Sequence, residues 1–162
     1  MKKVAIFVDV QNIYYTTKQA YGRNFDYNAF WARATAEREV VQANAYAIAK
    51  SDEKQQQFQN ILRAIGFTVK LKPYIQRADG SAKGDWDVGI TLDVIEQAAL
   101  ADIIVLASGD GDFDLLVQRS IAKYGVTVEV YGVPQLTADS LVRAATRFVP
   151  IEGSLLMNPK KN

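Results

Sequence analysis

Two short apolar runs, each leading to aspartate residues, set the architecture expected for this chain. The first run, VAIFVDV, occupies residues 4–10 and is interrupted only by Asp9. The second, DIIVLA, occupies residues 102–107 and is followed closely by Asp110 and Asp112. Short runs that are apolar throughout are typical of strands buried on both faces of a parallel sheet, whereas half-exposed strands alternate. The two runs therefore predict central strands of a parallel sheet.

Helical patterns separate these strands from further strands along the chain. We predict the other strands at residues 40–49, 67–75, 126–131 and 147–151. The strand at 67–75 should lie near an edge of the sheet, because Pro73 has no backbone N–H to donate to a neighbouring strand. The predicted helices occupy residues 12–21, 27–37, 86–99, 113–124 and 137–145, and a further helix is capped by Ser51 and ends at Gly66. Alternating strands and helices indicate an α/β fold with helices on both faces of the sheet. We expect one domain over residues 1–157 and a frayed tail over residues 158–162.

The chemistry open to the chain is limited, because its 162 residues include neither cysteine nor histidine. Disulfides, thiolate nucleophiles, Ser-His catalysis and the usual zinc sites are therefore excluded. The net charge of +1 gives no global field that would indicate a nucleic-acid partner. No apolar run approaches the roughly 20 residues that span a bilayer. We expect a soluble cytoplasmic protein whose chemistry depends on carboxylates, amines, hydroxyls, amides or a carboxylate-bound metal ion.

Aspartates follow the central strands at the place where open parallel sheets bind ligands. Such ligands bind beyond the carboxyl ends of the strands, near the point where strand order reverses. If the two apolar runs form neighbouring strands, about 4.8 Å apart, Asp9 and Asp110 face one crevice. Asp87 lies in the first turn of a predicted helix, where the helix dipole favours a negative group. Clustered carboxylates repel one another unless a cation neutralises them, and an oxygen-only cluster suits Mg²⁺ or Mn²⁺.

Three segments of the sequence together resemble the signature blocks of the NYN domain family, specifically its LabA-like bacterial branch. They are FVDVQN at residues 7–12, KGDWDVGITLD at residues 83–93 and ADIIVLASGDGDFDLLV at residues 101–117. Their order and spacing agree with the family, and the likeness covers most of the chain. Because NYN domains are similar to PIN nucleases, the resemblance implies a Rossmann-like three-layer α/β/α sandwich with a mainly parallel central sheet. It also implies a metal-dependent ribonuclease that hydrolyses RNA phosphodiester bonds.

The resemblance assigns roles to individual residues. Asn12 and Ser108 would position groups at the site, and a bound Mg²⁺ or Mn²⁺ ion would lower the pKa of a water molecule. One departure from the family pattern is Val10-Gln11, where many relatives have a glycine in this turn. The positions that match the family's metal-binding aspartates are Asp9, Asp87, Asp110 and Asp112.

Each of these residues also has a purely structural interpretation. Asp9 can pair with a lysine in the core or cap the following helix, and Asn12 also suits a helix N-cap. Asp110 and Asp112 can serve only a turn and a cap, because SGDGD is rich in turn-forming residues. The same segment lacks the lysine and the spacing of a phosphate-binding loop. Two further aspartates are interpreted as solvated groups or as supports of the ligands: Asp85 and Asp93.

Two other functions stay open on the sequence alone. One is a non-catalytic RNA- or protein-binding regulatory module on the same fold. The other is a receiver-like or phosphatase-like domain, although FVDVQN lacks the threonine that a D-x-D-x-T arrangement requires. The expected partner is single-stranded or structured RNA, with homodimer formation left open and no membrane. Candidate RNA contacts are cationic and aromatic side chains: Arg23, Lys70, Lys72, Arg77, Lys83, Arg119, Lys123, Tyr14, Tyr15, Tyr74 and Trp86.

Overall fold

In the computed structural model, the centre of the molecule is a six-stranded sheet. The structure describes residues 1–49, 52–73, 75–76, 82–83 and 85–159. The strands within these described residues are, in chain order, β1 (Lys2–Asp9), β2 (Arg38–Ala49), β3 (Thr68–Pro73), β4 (Ile75–Gln76), β5 (Ala82–Lys83), β6 (Ile103–Ala107), β7 (Thr127–Gly132) and β8 (Arg147–Pro150). The predictions that lie outside the described residues concern Ser51, Tyr74, Arg77, the side chain of Lys83 and the tail at 160–162.

The six long strands are all parallel and follow the order β3-β2-β1-β6-β7-β8, while β4 and β5 form a separate antiparallel ribbon. The chain adds β2 and β3 on one side of β1 and then returns to add β6, β7 and β8 on the other. Strand order therefore reverses between β1 and β6, which pair with each other, Val8 opposite Ala107. The predicted parallel sheet and the position of β3 at an edge are confirmed. The two apolar runs are neighbouring strands, which was the condition for Asp9 and Asp110 to face one crevice.

Helices cover both faces of the sheet and complete the predicted three-layer α/β/α sandwich. The helices on one face are α1 (Val10–Tyr21), α2 (Tyr27–Thr35) and α3 (Glu53–Ile65), and those on the other are α4 (Asp87–Ala98), α5 (Asp114–Tyr124) and α6 (Asp139–Ala144). Each face has its own core of side chains with little or no exposure to solvent. Among the described helices, none combines the length and apolar character needed to cross a bilayer.

Several element boundaries differ from the sequence prediction, and capping explains the difference at two of them. Val10 was assigned to the first strand, but the carboxylate of Asp9 accepts a hydrogen bond from the Asn12 backbone N–H, so that α1 begins at Val10. The helix predicted to begin after Ser51 is capped by Asp52, which accepts from the Gln55 backbone N–H at 2.8 Å. In both cases an aspartate side chain satisfies an otherwise unpaired helix N–H.

Candidate metal centre

Three carboxylates converge beyond the carboxyl ends of β1 and β6. One oxygen from each of Asp87, Asp110 and Asp112 lies within 4.8 Å of the others. Asp87 is the first residue of α4, Asp110 follows β6, and Asp112 lies in the single 3₁₀ turn Gly111–Phe113 that precedes α5. Residues that are far apart in the sequence thus meet at the point of strand-order reversal. We call Asp87, Asp110 and Asp112 the acidic triad.

Asp9 lies at the end of β1 beside the triad but is not one of its three members. Its side chain is buried, with only 9% exposed, and both oxygens are engaged. One oxygen accepts from the Asn12 backbone N–H at 3.4 Å, and the other accepts from the Ser108 hydroxyl at 3.2 Å. Asp9 therefore caps α1, as one of its structural interpretations held, and its charge also acts on the triad.

Asn12 and Ser108 hold the loop that carries Asp110. The Asn12 side-chain oxygen accepts a hydrogen bond from the Gly109 backbone N–H at 2.9 Å, which joins α1 to the loop after β6. The Ser108 hydroxyl accepts from the Asp110 backbone N–H at 3.2 Å, and Asp110 itself accepts from the Asp112 backbone N–H at 2.9 Å. These contacts fix the loop backbone, so that both of its aspartates point into one crevice.

A second loop packs directly against this one, and glycine is required at the contact. A Cβ atom on Gly109 would lie 2.8 Å from the backbone oxygen of Leu136, and one on Gly111 would lie 2.8 Å from the Cβ of Ala138. The loops are also joined by a hydrogen bond from the Ala138 N–H to the Gly109 carbonyl at 3.1 Å. The glycines of SGDGD therefore serve close packing of two backbones.

Among the residues that the structure describes, no ion pair joins a protein cation to the acidic triad. In the part of the chain that the structure describes, ion pairs join Arg38 to Glu129 and Lys70 to Asp93, and neither pair includes Asp9 or a member of the triad. Negative charges that are close together and partly removed from water favour the protonated form of a carboxyl group.

The pKa values of two carboxyl groups reflect this unbalanced charge. Burial is the main reason why the pKa of Asp9 rises to about 6, and the negative charges of Asp110 and Asp85 add to the effect. Burial, followed by the charge of Asp110 and a hydrogen bond with its carboxyl group, raises the pKa of Asp87 to about 7. A cation bound in the crevice would lower the pKa of both carboxyl groups again.

This donor set fits a hard divalent cation. The triad offers oxygen ligands only, no described cation forms an ion pair with it, and its oxygens are close enough to share one ion. Mg²⁺ and Mn²⁺ prefer such carboxylate sites, in which water molecules complete the coordination. The triad contains no nitrogen or sulfur donor that would favour a softer metal.

Trp86 anchors the start of α4 and with it Asp87. The indole N–H donates to the Ala47 carbonyl on β2 at 2.9 Å, and the Lys72 ammonium lies 4.6 Å from the centre of the indole ring. Lys72 also donates to the Asp85 carbonyl at 3.0 Å, which connects β3 to the segment before α4. Trp86 therefore has a structural role, so one of the proposed base-stacking residues is largely engaged in packing.

Of the other candidate RNA contacts, some side chains already form hydrogen bonds within the protein and others are exposed to solvent. Tyr14 and Tyr15 are 52% and 56% exposed on α1. Lys70 is paired with Asp93, and Arg23 donates to the carbonyl groups of Met157 and Leu156 near the end of the chain. Two remaining cations lie exposed on α5: Arg119 and Lys123.

A polar row on β2 was missed in the sequence. Gln42, Asn44 and Tyr46 share one face of the strand, and Tyr46 lies beside Asp9 in the register. The Tyr46 hydroxyl donates to Asp93 on α4 at 2.6 Å. The signal was the alternation in VQANAYA, where every second residue is polar or aromatic. Asp93 is thus neither a triad member nor simply solvated.

Comparisons with known proteins agree with this architecture. Residues 3–152 match the family model of the NYN domain, which confirms the resemblance predicted from the three sequence blocks. The chain is 30% identical over 159 residues to "Low amplitude and bright protein LabA" of Synechococcus elongatus, and the match covers 92% of this chain and 83% of that protein.

Two solved structures are similar to different degrees. The crystal structure of a protein of unknown function from Vibrio parahaemolyticus has 61% sequence identity and a TM-score of 0.92, with 96% of each chain covered. A ribokinase from Giardia lamblia has 14% identity and a TM-score of 0.50, covering 92% of this chain and 57% of that one. The second similarity concerns the fold alone.

Proposed function

Because this chain belongs to the NYN domain family, we propose that it is a metal-dependent ribonuclease that hydrolyses phosphodiester bonds of RNA at the acidic triad. Proteins of this family are typically metal-dependent nucleases of the PIN-like kind. The observation that carries the proposal is the convergence of Asp87, Asp110 and Asp112 within 4.8 Å, without a cationic partner among the described residues. A cluster kept only for stability would be expected to include a lysine or arginine.

The residues of the site divide into ligands and supports. Asp87, Asp110 and Asp112 would hold Mg²⁺ or Mn²⁺ directly, and Asp9 would act on the ion directly or through water. When bound, such an ion lowers the pKa of a water molecule and stabilises negative charge on a phosphate. Asn12 holds the Gly109 backbone and thereby keeps the triad loop in place.

RNA is the proposed substrate, and it would enter from the open side of the crevice. Tyr14 and Tyr15 present exposed rings on α1, whose first turn is capped by Asp9. Exposed aromatic rings can stack on unpaired bases without strong sequence preference, at roughly 1–3 kcal/mol for each base. Lys18, whose ammonium lies 6.0 Å from the Tyr14 ring centre, can neutralise a phosphate beside them. Single-stranded RNA is therefore the form that suits this surface.

The decisive experiment is cleavage of single-stranded RNA with Mn²⁺ or Mg²⁺ as the added cation. We expect cleavage that stops on addition of a chelator and falls at least about a hundredfold in Asp110→Asn, because the negative charge of a metal ligand is lost. Asp102→Asn is the matched control, since Asp102 lies at the opposite end of β6 and its carboxylate accepts a hydrogen bond from the Lys3 backbone N–H.

The outcomes separate the proposed enzyme from the alternative. RNA that stays intact at high protein and metal concentration contradicts the ribonuclease proposal. Binding of RNA without turnover, equal in wild type and Asp110→Asn, would favour a non-catalytic binding module on the same fold. Mn²⁺ binding measured by calorimetry, lost in Asp110→Asn but kept in Asp102→Asn, would show separately that the triad is the metal site.

A further inference from the structure

A polar pocket lies on the α4 side of the sheet, away from the acidic triad. Its volume is about 200 Å³, and it is lined by six polar side chains from β2, β3 and α4: Gln42, Asn44, Lys70, Asp93, Glu96 and Gln97. Among these described lining residues, none is aromatic or aliphatic. We call this cavity the β2–α4 pocket.

The pocket is connected to the triad by α4 and β2. Asp93 is six residues after Asp87 on α4, roughly 9 Å along the helix axis, and Glu96 is roughly 14 Å along it. Tyr46 lies beside Asp9 in the sheet register, and its hydroxyl donates to Asp93 at the pocket wall. At about 3.4 Å for each stacked nucleotide of one strand, the pocket is a few nucleotides from the triad.

A hydrogen-bond network shapes the walls. Gln42 donates to the Asn44 side-chain oxygen at 2.6 Å, and Asn44 donates to the Tyr46 hydroxyl at 3.0 Å. Lys70 and Tyr46 both donate to the same oxygen of Asp93, at 2.7 and 2.6 Å. Burial opposes ionisation of Asp93, but these two hydrogen bonds outweigh it and hold its pKa below the usual value. The pocket wall is thus ordered and contains an ionised acceptor.

Acceptors and donors remain available inside the pocket. In the described structure, the second oxygen of Asp93, the carboxylate of Glu96 and the side-chain amide of Gln97 take part in no hydrogen bond with another side chain. The charged lining residues are one lysine and two acids, so the pocket has a slight negative excess that disfavours phosphate. A hydroxyl group, which both donates and accepts, matches this mixture.

We infer that the β2–α4 pocket binds a ribose of the RNA strand a few nucleotides from the acidic triad, with Glu96 and Gln97 recognising the 2′-hydroxyl. The inference rests on the proposed function, because it assigns a specificity subsite to the same substrate. A base would instead require an aromatic or apolar face for stacking, which the lining residues do not provide. Because the 2′-hydroxyl distinguishes RNA from DNA, the pocket would make the protein selective for RNA.

The test compares binding of a short labelled single-stranded RNA with its DNA counterpart of matched sequence. Fluorescence anisotropy in EDTA buffer measures affinity while a metal-dependent enzyme cannot turn over. We expect wild type to prefer RNA by about tenfold or more, as for a hydrogen bond to a charged group. Glu96→Gln and Gln97→Ala should each reduce this preference several-fold and leave DNA affinity unchanged. Glu53→Gln, which removes an exposed acid from α3, is the charge-matched control.

A scan with single 2′-deoxy substitutions places the contact along the strand. We expect one or two positions of the RNA to lose affinity in wild type, and the same positions to lose several-fold less in Glu96→Gln. Equal affinity for RNA and DNA in wild type, or a preference unchanged in both variants, would overturn the inference even if RNA is cleaved at the triad. Conversely, retained RNA preference without any cleavage would leave the pocket assigned and the ribonuclease proposal refuted.

Discussion

Buried acids are treated differently in two regions of this sheet. On β7, Glu129 is 5% exposed and forms two parallel hydrogen bonds with the Arg38 guanidinium, each 2.8 Å long. At the end of β1, Asp9 is 9% exposed and accepts from two neutral groups of the described structure, the Asn12 backbone N–H and the Ser108 hydroxyl. Both acids are removed from water, but among the described residues a cation pairs with Glu129 and none pairs with Asp9.

This difference distinguishes acids that stabilise the fold from acids that are available to a metal site. A buried charge is costly unless a counter-charge and hydrogen bonds compensate it. Glu129 meets that condition within the chain, and the same hydrogen bonds raise the pKa of Arg38. Asp9 and Asp87 have no ion-pair partner in the described part of the chain, and burial is the main reason why their pKa values rise to about 6 and about 7. The missing charge at the triad is what a divalent cation would supply.

The largest effect is expected from breaking the compensated pair. Glu129→Ala leaves the partly buried Arg38 unpaired and should lower the free energy of unfolding by about 3–5 kcal/mol. Urea denaturation measures the loss. Replacing both partners, in Arg38→Met with Glu129→Leu, should recover most of it because no isolated charge remains. A loss below about 1 kcal/mol in Glu129→Ala would remove the distinction between the two regions.

Asp9, at the end of β1, should make the stability of the protein depend on pH. The pKa of Asp9 is about 6 in the folded protein and 3.8 when unperturbed. The folded protein therefore binds the proton of the Asp9 carboxyl group more tightly than the unfolded chain does. This proton binding stabilises the fold at low pH, and the stabilisation is lost as pH rises from about 4 to about 7. The free energy of unfolding of Asp9→Asn should gain about 3 kcal/mol relative to wild type across this range in EDTA.

At about pH 7, saturating Mn²⁺ should make the wild type more stable than Asp9→Asn, because a bound ion near the ionised Asp9 stabilises the folded wild type. Chemical denaturation at several pH values, with Asp102→Asn as the control, measures both effects. If the stability difference between Asp9→Asn and wild type does not change with pH, burial does not disfavour the ionised form of Asp9.

Gly109 tests how strictly the triad loop is held. A Cβ atom at this position would lie 2.8 Å from the Leu136 carbonyl oxygen, so Gly109→Ala must move one of two packed backbones. We expect a loss of about 1–3 kcal/mol of stability, together with weaker Mn²⁺ binding by calorimetry. In the control Gly22→Ala, the added methyl group meets open space although φ is +64°, and metal binding should not change. Equal Mn²⁺ affinity in both variants would mean that loop packing does not place the carboxylates.

The smallest effect is expected at the anchor of α4. Trp86→Phe removes the hydrogen bond to the Ala47 carbonyl and should cost about 1 kcal/mol of stability. Because Asp87 directly follows this anchor, Mn²⁺ affinity should also fall by a few-fold. Trp31→Phe makes the same change on the opposite face of the sheet and should leave Mn²⁺ affinity unchanged. Unaltered metal binding in Trp86→Phe would show that the first turn of α4 is held by other contacts.

The parallel sheet and the sheet edge at which the triad lies could be predicted, because each follows from local patterns. The apolar runs that became β1 and β6 are buried on both faces, and parallel strands of this kind require crossover helices. The ends of those strands then define where ligands bind. The boundary at Val10 was predicted wrongly, because its apolar side chain suits a strand while the cap made by Asp9 starts a helix.

Contacts between distant segments could not be predicted in the same way. The packing of Leu136 against Gly109, the pairing of Arg38 with Glu129 and the bond from Tyr46 to Asp93 each join residues with no periodic relation in the sequence. They depend on the side chains that strand order and helix placement bring within a few ångströms. The pocket beside α4 is the result of several such contacts.

By itself, the sequence determined the α/β architecture, the absence of thiol and imidazole chemistry and the aspartates available to a site, because residue types and their periodicity are local properties. Only the tertiary structure decided which aspartates meet. It grouped Asp87 with Asp110 and Asp112, made Asp9 a buried neighbour and paired Asp93 with Lys70. The physical reason is that charge interactions depend on distance and burial, and both are set only when the sheet and its helices are assembled.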